Sequence, residues 1–426
     1  MKVLVVGGGG REHAIVKKLK ESAEISALYC APGNGGIGLD ATPVPIKATE
    51  VERLAAFAAE EKMDYVVVAP DDPLCMGLVD RLKEQGIPAF GPSKAAARIE
   101  GSKVFAKELM ARYQIPTAAY RAFDDMKEAL AYVEAAAYPL VVKADGLALG
   151  KGVLICQNKA EAAQAVTAMM ADGKFGASGK QIVVEECLQG PEVSVLCFTD
   201  GHTLRPMVSG MDHKRALDGD EGLNTGGMGV VAPNPCYTPE IAEICMEQIF
   251  LPTLAAMRAE GCPFQGCLYF GLMLTQNGPK VIEYNCRFGD PETQAVLPLM
   301  KSDLFAVMRA TTDGTLDKVP CEFSSGAACC VILASGGYPD AYQTGCEISG
   351  MTEAEKTALV YHAGTALSQE GTIVTAGGRV LGVTAVAESL PKAVEKAYAA
   401  AAKISFQGMH MRKDIGGKAL AALADA

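Results

Sequence analysis

A short run of polar residues carries the side chains needed to handle phosphoryl groups. It begins on a predicted strand, 281–285, and continues through the loop 287–294. Because side chains alternate along a strand, Glu283 and Asn285 point to the same face, where both offer oxygen to Mg²⁺. Arg287 follows, and a guanidinium suits phosphate or carboxylate. The run predicts a phosphoryl-transfer site, and an exposed polar strand end with a Gly-Asp-Pro turn is the alternative.

Composition limits the architecture and the partners. A chain of 426 residues that is 49% hydrophobic is expected to form roughly two to four domains. Its net charge of −11 argues against nucleic acid as a main partner. We expect no membrane span and no signal peptide. The 14 cysteines are scattered without metal-binding spacing, which favours a reducing cytoplasm.

The elements that must position this chemistry change character along the chain. Residues 1 to about 101 alternate short apolar strands with helices, which predicts a parallel doubly wound sheet that binds ligands beyond its carboxyl ends. A small α+β unit follows, with a strand predicted at 153–156 and a helix at 159–170. From residue 192 the pattern turns to strand pairs, which include a strand predicted at 204–210, one long helix at 239–259 and a hairpin at 267–285. The last hundred residues include a helix predicted at 390–401.

Two glycine-rich loops are predicted at one edge of the first sheet. Gly7–Gly10 follows the first strand and opens a helix, an arrangement that favours phosphate. A dinucleotide fingerprint would need glycine in place of Glu12 or His13 and an acid at the end of the second strand, so NAD is disfavoured. The loop 32–36, with Asn34, could close on the same anion. A tight turn without a ligand remains the alternative.

A third glycine-rich loop, 145–152, joins two predicted strands. It is not a Walker A loop, because three residues rather than four separate its first two glycines and Gly152 stands where Ser or Thr is required. A hairpin loop of this kind suits a flap over nucleotide phosphates, with Lys143 beside it as a point charge.

Two further polar segments each have a functional and an ordinary structural interpretation. The backbone of 183–188 could pair with an adenine edge and Glu192 with ribose hydroxyls, although an ordinary acidic strand end is the better explanation when the segment is taken alone. The long loop 212–229 is polar and glycine-rich, which is typical of a functional loop or of a mobile surface loop. His13 and His213 are interpreted as loop or cap residues rather than catalytic bases.

Taken together, these motifs resemble the ATP-grasp superfamily, and within it the phosphoribosylamine–glycine ligase family. The segments that carry the resemblance follow the family's order from end to end: GGGREH at 8–13 with Gly7, APGN at 31–34, KADGLALGKGV at 143–153, DHKR at 212–215, NTGGMG at 224–229, NCRFGDPETQ at 285–294, HAGT at 362–365 and GGRVL at 377–381.

The resemblance implies a fold and a reaction. The fold is multidomain α/β and α+β, with an N-terminal doubly wound domain (1–101), an ATP-grasp domain (102–324) containing a lid at about 119–188, and a C-terminal α/β domain (325–426). The reaction joins glycine to 5-phosphoribosylamine through glycyl phosphate, using ATP and Mg²⁺ or Mn²⁺, in de novo purine biosynthesis. Only small-molecule partners are implied, and we expect a cytoplasmic monomer.

The resemblance also implies roles for single residues. ATP would be bound by Lys103, Lys143, Gly146, Gly150, Lys151, Gly152, Glu185, Glu186, Leu188 and Glu192. The phosphoribosyl substrate and glycine would meet Gly8, Gly9, Gly10, Asn34, Asn224, Thr225, Gly226, Gly227 and Met228. Glu283 and Asn285 would bind the metal. Arg287 would neutralise the acyl phosphate, and the substrates would be oriented by Asp212, Lys214 and Asp290.

Two departures from the family pattern leave room for alternatives. Asp71 stands where the family usually has Gly-Pro-Glu, which puts a ribose contact there in doubt. The strand 267–275 carries no acid, so a single protein carboxylate would face the metal. The rival interpretations are another ATP-grasp carboxylate–amine ligase or carboxylase, an NAD-dependent oxidoreductase and a non-catalytic nucleotide sensor.

Overall fold

The computed structural model describes residues 1–147, 152–171 and 179–424. Within these ranges the chain forms two five-stranded sheets, two four-stranded sheets and two small hairpin sheets. No helix in the described ranges is long and apolar enough to cross a membrane. All 14 cysteines lie in the described ranges and all are free, as the scattered spacing predicts.

The first sheet is parallel, with strand order β3-β2-β1-β4-β5. Its strands are β1 (Lys2–Gly7), β2 (Ala27–Pro32), β3 (Thr42–Pro43), β4 (Tyr65–Val68) and β5 (Ala89–Phe90), and its helices are α1 (Gly10–Leu19), α2 (Val51–Glu60), α3 (Asp71–Met76), α4 (Leu78–Glu84) and α5 (Lys94–Gly101). Because β1 has β2 on one side and β4 on the other, the loop 8–10 lies at the switch point where such sheets bind ligands. The predicted doubly wound sheet is confirmed.

A smaller unit with its own apolar core follows. It is preceded by α6 (Lys103–Arg112), whose buried apolar residues belong to the larger core, and it comprises β6 (Tyr120–Phe123), α7 (Met126–Ala135), β7 (Leu140–Ala144), β8 (Val153–Cys156), α8 (Lys159–Met170) and β9 (Ile182–Glu186). The order β6-β9-β7-β8 is antiparallel throughout. The pairing of β7 with β8 places the predicted phosphate flap at a hairpin end, and residues 148–151 of that flap lie outside the described ranges.

The central part forms an antiparallel sheet of order β11-β10-β16-β17. The elements are β10 (Glu192–Thr199), β11 (Leu204–Pro206), β12 (Met211–Asp212), β13 (Arg215–Leu217), β14 (Glu221–Asn224), β15 (Gly229–Ala232), α9 (Pro239–Cys245), α10 (Leu251–Ala259), β16 (Gly266–Thr275) and β17 (Gly278–Asn285). A π-helical segment, Met246–Phe250, joins α9 to α10, so the long predicted helix is continuous but irregular.

The last part completes a sheet that begins in the central part. The remaining elements are α11 (Glu292–Val296), α12 (Leu304–Asp313), β18 (Ala327–Ala334), α13 (Met351–Glu355), β19 (Leu359–His362), β20 (Thr365–Leu367), β21 (Ile373–Thr375), β22 (Arg379–Ala387), α14 (Leu390–Ala401) and α15 (Gly417–Ala424). The sheet order is β12-β15-β18-β22-β19. The polar loop 212–229 is therefore held by strands that lie far along the chain.

The C-terminal segment fastens the hairpin β13–β14 to this sheet. Arg412 is fully buried; it pairs with Asp220 at 2.9 Å and Asp414 at 2.7 Å and donates to the carbonyl of Arg215 at 3.1 Å. Burial would lower the pKa of Arg412, but these two carboxylates raise it, so the guanidinium stays charged.

Replacing Arg412 by Met is expected to destabilise the protein by about 3 kcal/mol, since it breaks a buried ion pair. This value is at the low end for such pairs because the carboxylates of Asp220 and Asp414 are partly exposed. The free energy of unfolding in urea measures this. Arg81→Met is the matched control, since Arg81 also pairs with two carboxylates, Glu52 and Glu84, but at the surface. Equal stabilities of the two variants would contradict the prediction.

Candidate active site

The loop 286–291 lies where three parts of the molecule meet. From α1 of the N-terminal part, Arg11 donates to the carbonyl of Phe288 at 2.9 Å. At the end of α5, Glu100 accepts from the backbone of Cys286 at 2.7 Å. From β22, Arg379 donates to the carbonyl of Asp290 at 2.7 Å. The loop is thus fixed by side chains that are distant in sequence.

The proposed metal pair, Glu283 and Asn285, lies at the carboxyl end of β17. Burial alone would raise the pKa of Glu283, but Lys214, Lys143 and other cations lower it, so this carboxylate is ionised. On the adjacent strand β16, the residue opposite Glu283 is Gly271, so no second carboxylate stands there. The described residues contain no cluster of three or more His, Cys, Asp or Glu suited to a metal. One carboxylate and one amide oxygen fit Mg²⁺, which keeps waters and phosphates as its other ligands.

Arg287 is oriented by a buried carboxylate that the sequence did not indicate. One of its terminal nitrogens lies 2.9 Å from Glu100 and donates to Asn285 Oδ1 at 3.0 Å. Burial raises the pKa of Glu100, and the Arg287 charge opposes that rise. The Nε of Arg287 is buried and has no acceptor among the described residues. This donor is thus unpaired within the part of the chain that the structure describes.

Positive charge collects on the nucleotide side of the site. Lys143 pairs with Glu185 and donates to the carbonyl of Ile282 at 3.1 Å. Lys107 lies 2.5 Å from the other oxygen of Glu185, whose side chain is only 4% exposed. The Glu185 side chain is therefore occupied, and its backbone lies in β9 between β6 and β7, so its predicted contact with adenine stays a prediction. The neighbouring Glu186 is exposed and lies beside the backbone of residue 119.

The start of the predicted flap is anchored to α6. Lys103 donates to the carbonyl of Gly146 at 2.8 Å, and burial lowers the pKa of this lysine. Asp145 accepts from the backbone of Val104 at 3.0 Å. Gly152 accepts from the backbone of residue 144 at 2.9 Å. Gly150 and Lys151 fall outside the described ranges, and their roles stay predictions.

Carboxylates collect on the opposite side. Burial, and then the neighbouring Glu292, raise the pKa of Asp212 well above its usual range. Glu292 accepts from Ser194 and Tyr269, each at 3.0 Å, and its side chain is buried. Lys214 lies 3.0 Å from Glu192 and 3.6 Å from Glu283. Glu192, the predicted ribose ligand, is therefore next to Lys214, which is predicted to orient the substrates. The site role of Glu292 was not predicted.

The glycine-rich turns at the sheet edge are mutually braced. Asn34 donates to the carbonyls of Gly8 at 2.9 Å and His362 at 2.7 Å, while its oxygen accepts from the backbone of 36 and 37. The backbone of Gly9 donates to Glu12 at 2.6 Å. The Asn34 side chain therefore holds the two loops together, and its predicted contact with phosphate remains a prediction.

The loop 224–228 packs directly on acidic and basic side chains. A Cβ atom on Gly227 would lie 2.6 Å from Asp212 Oδ1, and its φ of +116° also requires glycine. Thr225 donates to the carbonyl of Lys214 at 2.8 Å, and Met228 is fully buried. Asn224 pairs with Arg215 across β13 and β14. The loop is thus placed beside Asp212, as the resemblance implies.

His13 and His213 have structural partners, in line with the sequence interpretation. The Nδ1 of His13 accepts from the backbone of His362 at 2.8 Å, and its Nε2 faces Asp40 at 3.2 Å. His213 accepts from the backbone of Gly416 at 3.2 Å, and burial lowers its pKa to about 4. Both rings are neutral and brace the surrounding backbone.

Comparison with known proteins agrees with this geometry. The parallel N-terminal sheet, the small antiparallel unit and the antiparallel central sheet define an ATP-grasp enzyme. Three family descriptions match consecutive parts of the chain: the N domain (1–100), the ATP-grasp domain (101–293) and the C domain (328–418) of phosphoribosylglycinamide synthetase. The chain belongs to the phosphoribosylglycinamide synthetase family and is a ligase.

Individual relatives extend along the whole chain. The phosphoribosylamine–glycine ligase of Caldanaerobacter subterraneus is 50% identical, covering 97% of this chain and 99% of that protein. The Agrobacterium fabrum ligase of the same name is 48% identical, covering 99% of each. The crystal structure of the Thermotoga maritima ligase is 34% identical, with a TM-score of 0.86, and covers 97% of this chain and 100% of that one.

A more distant structure shares the fold alone. The biotin carboxylase domain of Hydrogenobacter thermophilus 2-oxoglutarate carboxylase is 17% identical, with a TM-score of 0.74, and covers 96% of this chain and 91% of that one. That carboxylase domain is in complex with ADP, magnesium and bicarbonate. The carboxylase alternative thus has structural relatives at low identity, whereas the glycine ligases match at high identity along the full length.

Changing Glu100 to Gln is expected to lower kcat roughly 10- to 100-fold, because Arg287 loses a charge-assisted partner while Cys286 keeps an acceptor. Steady-state phosphate release measures the effect. Glu24→Gln is the matched control, since Glu24 also pairs with an arginine, Arg309, but at the exposed surface. A Glu100→Gln enzyme with the kcat of the control would show that Arg287 needs no such orientation.

Proposed function

We propose that the chain joins glycine to 5-phosphoribosylamine, converting ATP to ADP and phosphate and giving N1-(5-phosphoribosyl)glycinamide. The observation that supports this best is the division of charge around Glu283 and Arg287. Lys103, Lys143 and Lys214 act electrostatically on Glu283. Buried carboxylates lie on the other side of the site. Cations suit a polyphosphate, and carboxylates suit an ammonium group.

The reaction proceeds in two substitutions. A carboxylate oxygen of glycine attacks the γ-phosphorus of ATP, the bond to the bridging oxygen breaks, and ADP leaves. The amine nitrogen of phosphoribosylamine then attacks the carbonyl carbon of glycyl phosphate, phosphate leaves and the nitrogen loses a proton. The protein has little covalent work in either step, so positioning and charge neutralisation carry the rate.

Each side chain acts through its charge and position. Lys103 and Lys143 hold the terminal phosphates of ATP, with the flap over them. Arg287, oriented by Glu100, directs its unpaired Nε toward the acyl phosphate and the departing phosphate. Asp212 and Asp290 orient the glycine ammonium and the attacking amine, together with Lys214.

ATP and a divalent metal are the cofactors of this site. Glu283 and Asn285 would hold the metal, which when bound offsets charge on the transferring phosphate. We propose Mg²⁺, with Mn²⁺ as a substitute, because both donors are hard oxygen ligands. We also propose that the enzyme acts as a monomer in the cytoplasm, a setting in which its 14 free thiols persist.

Phosphate release from ATP and Mg²⁺ is expected only when glycine and freshly made phosphoribosylamine are both present. Omitting each in turn tests this. Glu283→Ala is expected to abolish release, because it removes the only protein carboxylate of the metal pair. Glu353→Ala, at an exposed surface pair, is the control and should retain wild-type activity.

Two outcomes would overturn parts of the proposal. Release that depends on bicarbonate instead of glycine would favour the carboxylase alternative. Release without any co-substrate, unchanged by Glu283→Ala, would leave an ATPase and would remove both the glycine assignment and the metal site.

The KM for glycine is expected to rise as pH falls toward the raised pKa of Asp212. A folded-state pKa above the usual range means that protonation starts at a higher pH than for an ordinary carboxylate, so attraction for the glycine ammonium is lost early. The groups that set this pKa are Glu292, Lys214, Arg379 and the His213 backbone. Glycine saturation curves over a pH series measure the effect, and Asp212→Asn should flatten it. A KM that is independent of pH in the wild type would exclude Asp212 from ammonium binding.

A further inference from the structure

Arg379, the first residue of β22, contacts two separate loops of the active site. Its Nη1 donates to the carbonyl of Gly226 at 2.8 Å and lies 3.3 Å from the carbonyl of Gly227. The same nitrogen donates to the carbonyl of Asp290 at 2.7 Å. The two loops are far apart in sequence, so this guanidinium is a direct bridge between them.

Arg379 also contacts the side chain of Asp290, the carboxylate that we propose orients the substrates. The Nη2 of Arg379 lies 3.3 Å from Asp290 Oδ1, which also accepts from Gln294 at 2.8 Å. The other oxygen of Asp290 accepts from the backbone of Arg11 at 3.3 Å. Both oxygens of Asp290 are therefore held, and Arg379 supplies the only side-chain cation within ion-pair distance of them in the described ranges.

The packing leaves the loop little freedom while Arg379 is in place. A Cβ atom on Gly226 would lie 2.9 Å from Arg379 Cζ, so the loop rests directly on the guanidinium plane. On its other side the next glycine rests on Asp212. Lysine cannot replace this arrangement, since an ammonium lacks the planar fork that meets two carbonyls and a carboxylate together.

The nucleotide side of the site has independent supports. Lys103 is held by Gly146, and Lys143 by Glu185 and Ile282. None of the hydrogen bonds or ion pairs of Arg379 within the described residues involves these groups. A change at position 379 should thus reach the substrate loops without disturbing the ATP phosphates.

We infer that Arg379 is a positioning residue that sets the loop 224–228 and Asp290 in the arrangement that binds glycine and phosphoribosylamine. This inference rests on the proposed function. It assigns to the C-terminal strand β22 a part in substrate selection. It also accounts for the presence of Arg379 in the same site as Arg287, although the two arginines are far apart in sequence.

The test compares Arg379→Lys and Arg379→Ala with the wild type in the full-length enzyme. Each variant is expected to raise the KM for glycine and for phosphoribosylamine roughly 10- to 100-fold, the value of one or two charge-assisted hydrogen bonds. The KM for ATP should stay within about twofold of wild type, because Lys103 and Lys143, which Arg379 does not contact, are proposed to hold the phosphates. Arg112→Ala, at an exposed ion pair with Glu260, is the control and should leave all three values unchanged.

Chemical rescue separates positioning from a simple loss of folding. Guanidinium ion, added to Arg379→Ala well below denaturing concentrations, should restore part of the affinity for glycine and phosphoribosylamine, and methylammonium should restore less. A rise in all three KM values with a lowered Tm and no rescue, in both variants, would overturn the inference. Wild-type KM values for glycine and phosphoribosylamine in Arg379→Ala would also overturn it. An inactive wild type would instead contradict the proposed function.

Discussion

The structure depends on satisfying the buried charges around the loop 286–291. A charge removed from water is tolerated only where a partner and hydrogen bonds compensate its lost hydration. Arg287 finds its partner in Glu100, and Asp290 in Arg379, while Arg11 holds the backbone between them. These partners come from α5, β22 and α1. The site is complete only when the three regions are packed together.

The same constraint separates the site by charge. Lysines surround Glu283 and lower its pKa, which keeps this proposed metal ligand ionised. On the other side Asp212 and Glu292 are buried close together, and burial and this carboxylate neighbour raise the pKa of Asp212 although Lys214 and Arg379 oppose the rise. A polyphosphate would offset the positive charge of the lysines, and an ammonium group would offset the negative charge of the carboxylates. Binding both substrates therefore neutralises the charge distribution that the folded protein maintains.

Many elements were predictable from local patterns, and the shortest were not. The strand at 153–156 and the helices at 159–170 and 390–401 have the predicted bounds, because a continuous apolar run marks the strand and alanine-rich segments mark the helices. The hairpins β13–β14 and β20–β21 were missed, because none of their strands contains a run of four apolar residues. The predicted strand 204–210 ends at Pro206, which cannot donate to a ladder.

The sequence alone determined the chemistry: Glu283, Asn285 and Arg287 follow one another closely, so strand alternation and side-chain type predict a phosphoryl site. It could not determine which residues complete that site. Glu100 lies in none of the motifs, and Glu292 and Arg379 lie in motifs without an assigned role, until folding brings each within hydrogen-bond distance of a site residue or its supporting side chains. Only the tertiary structure decided those partners, because burial and long-range packing, rather than local spacing, set the electrostatic environment of each charge.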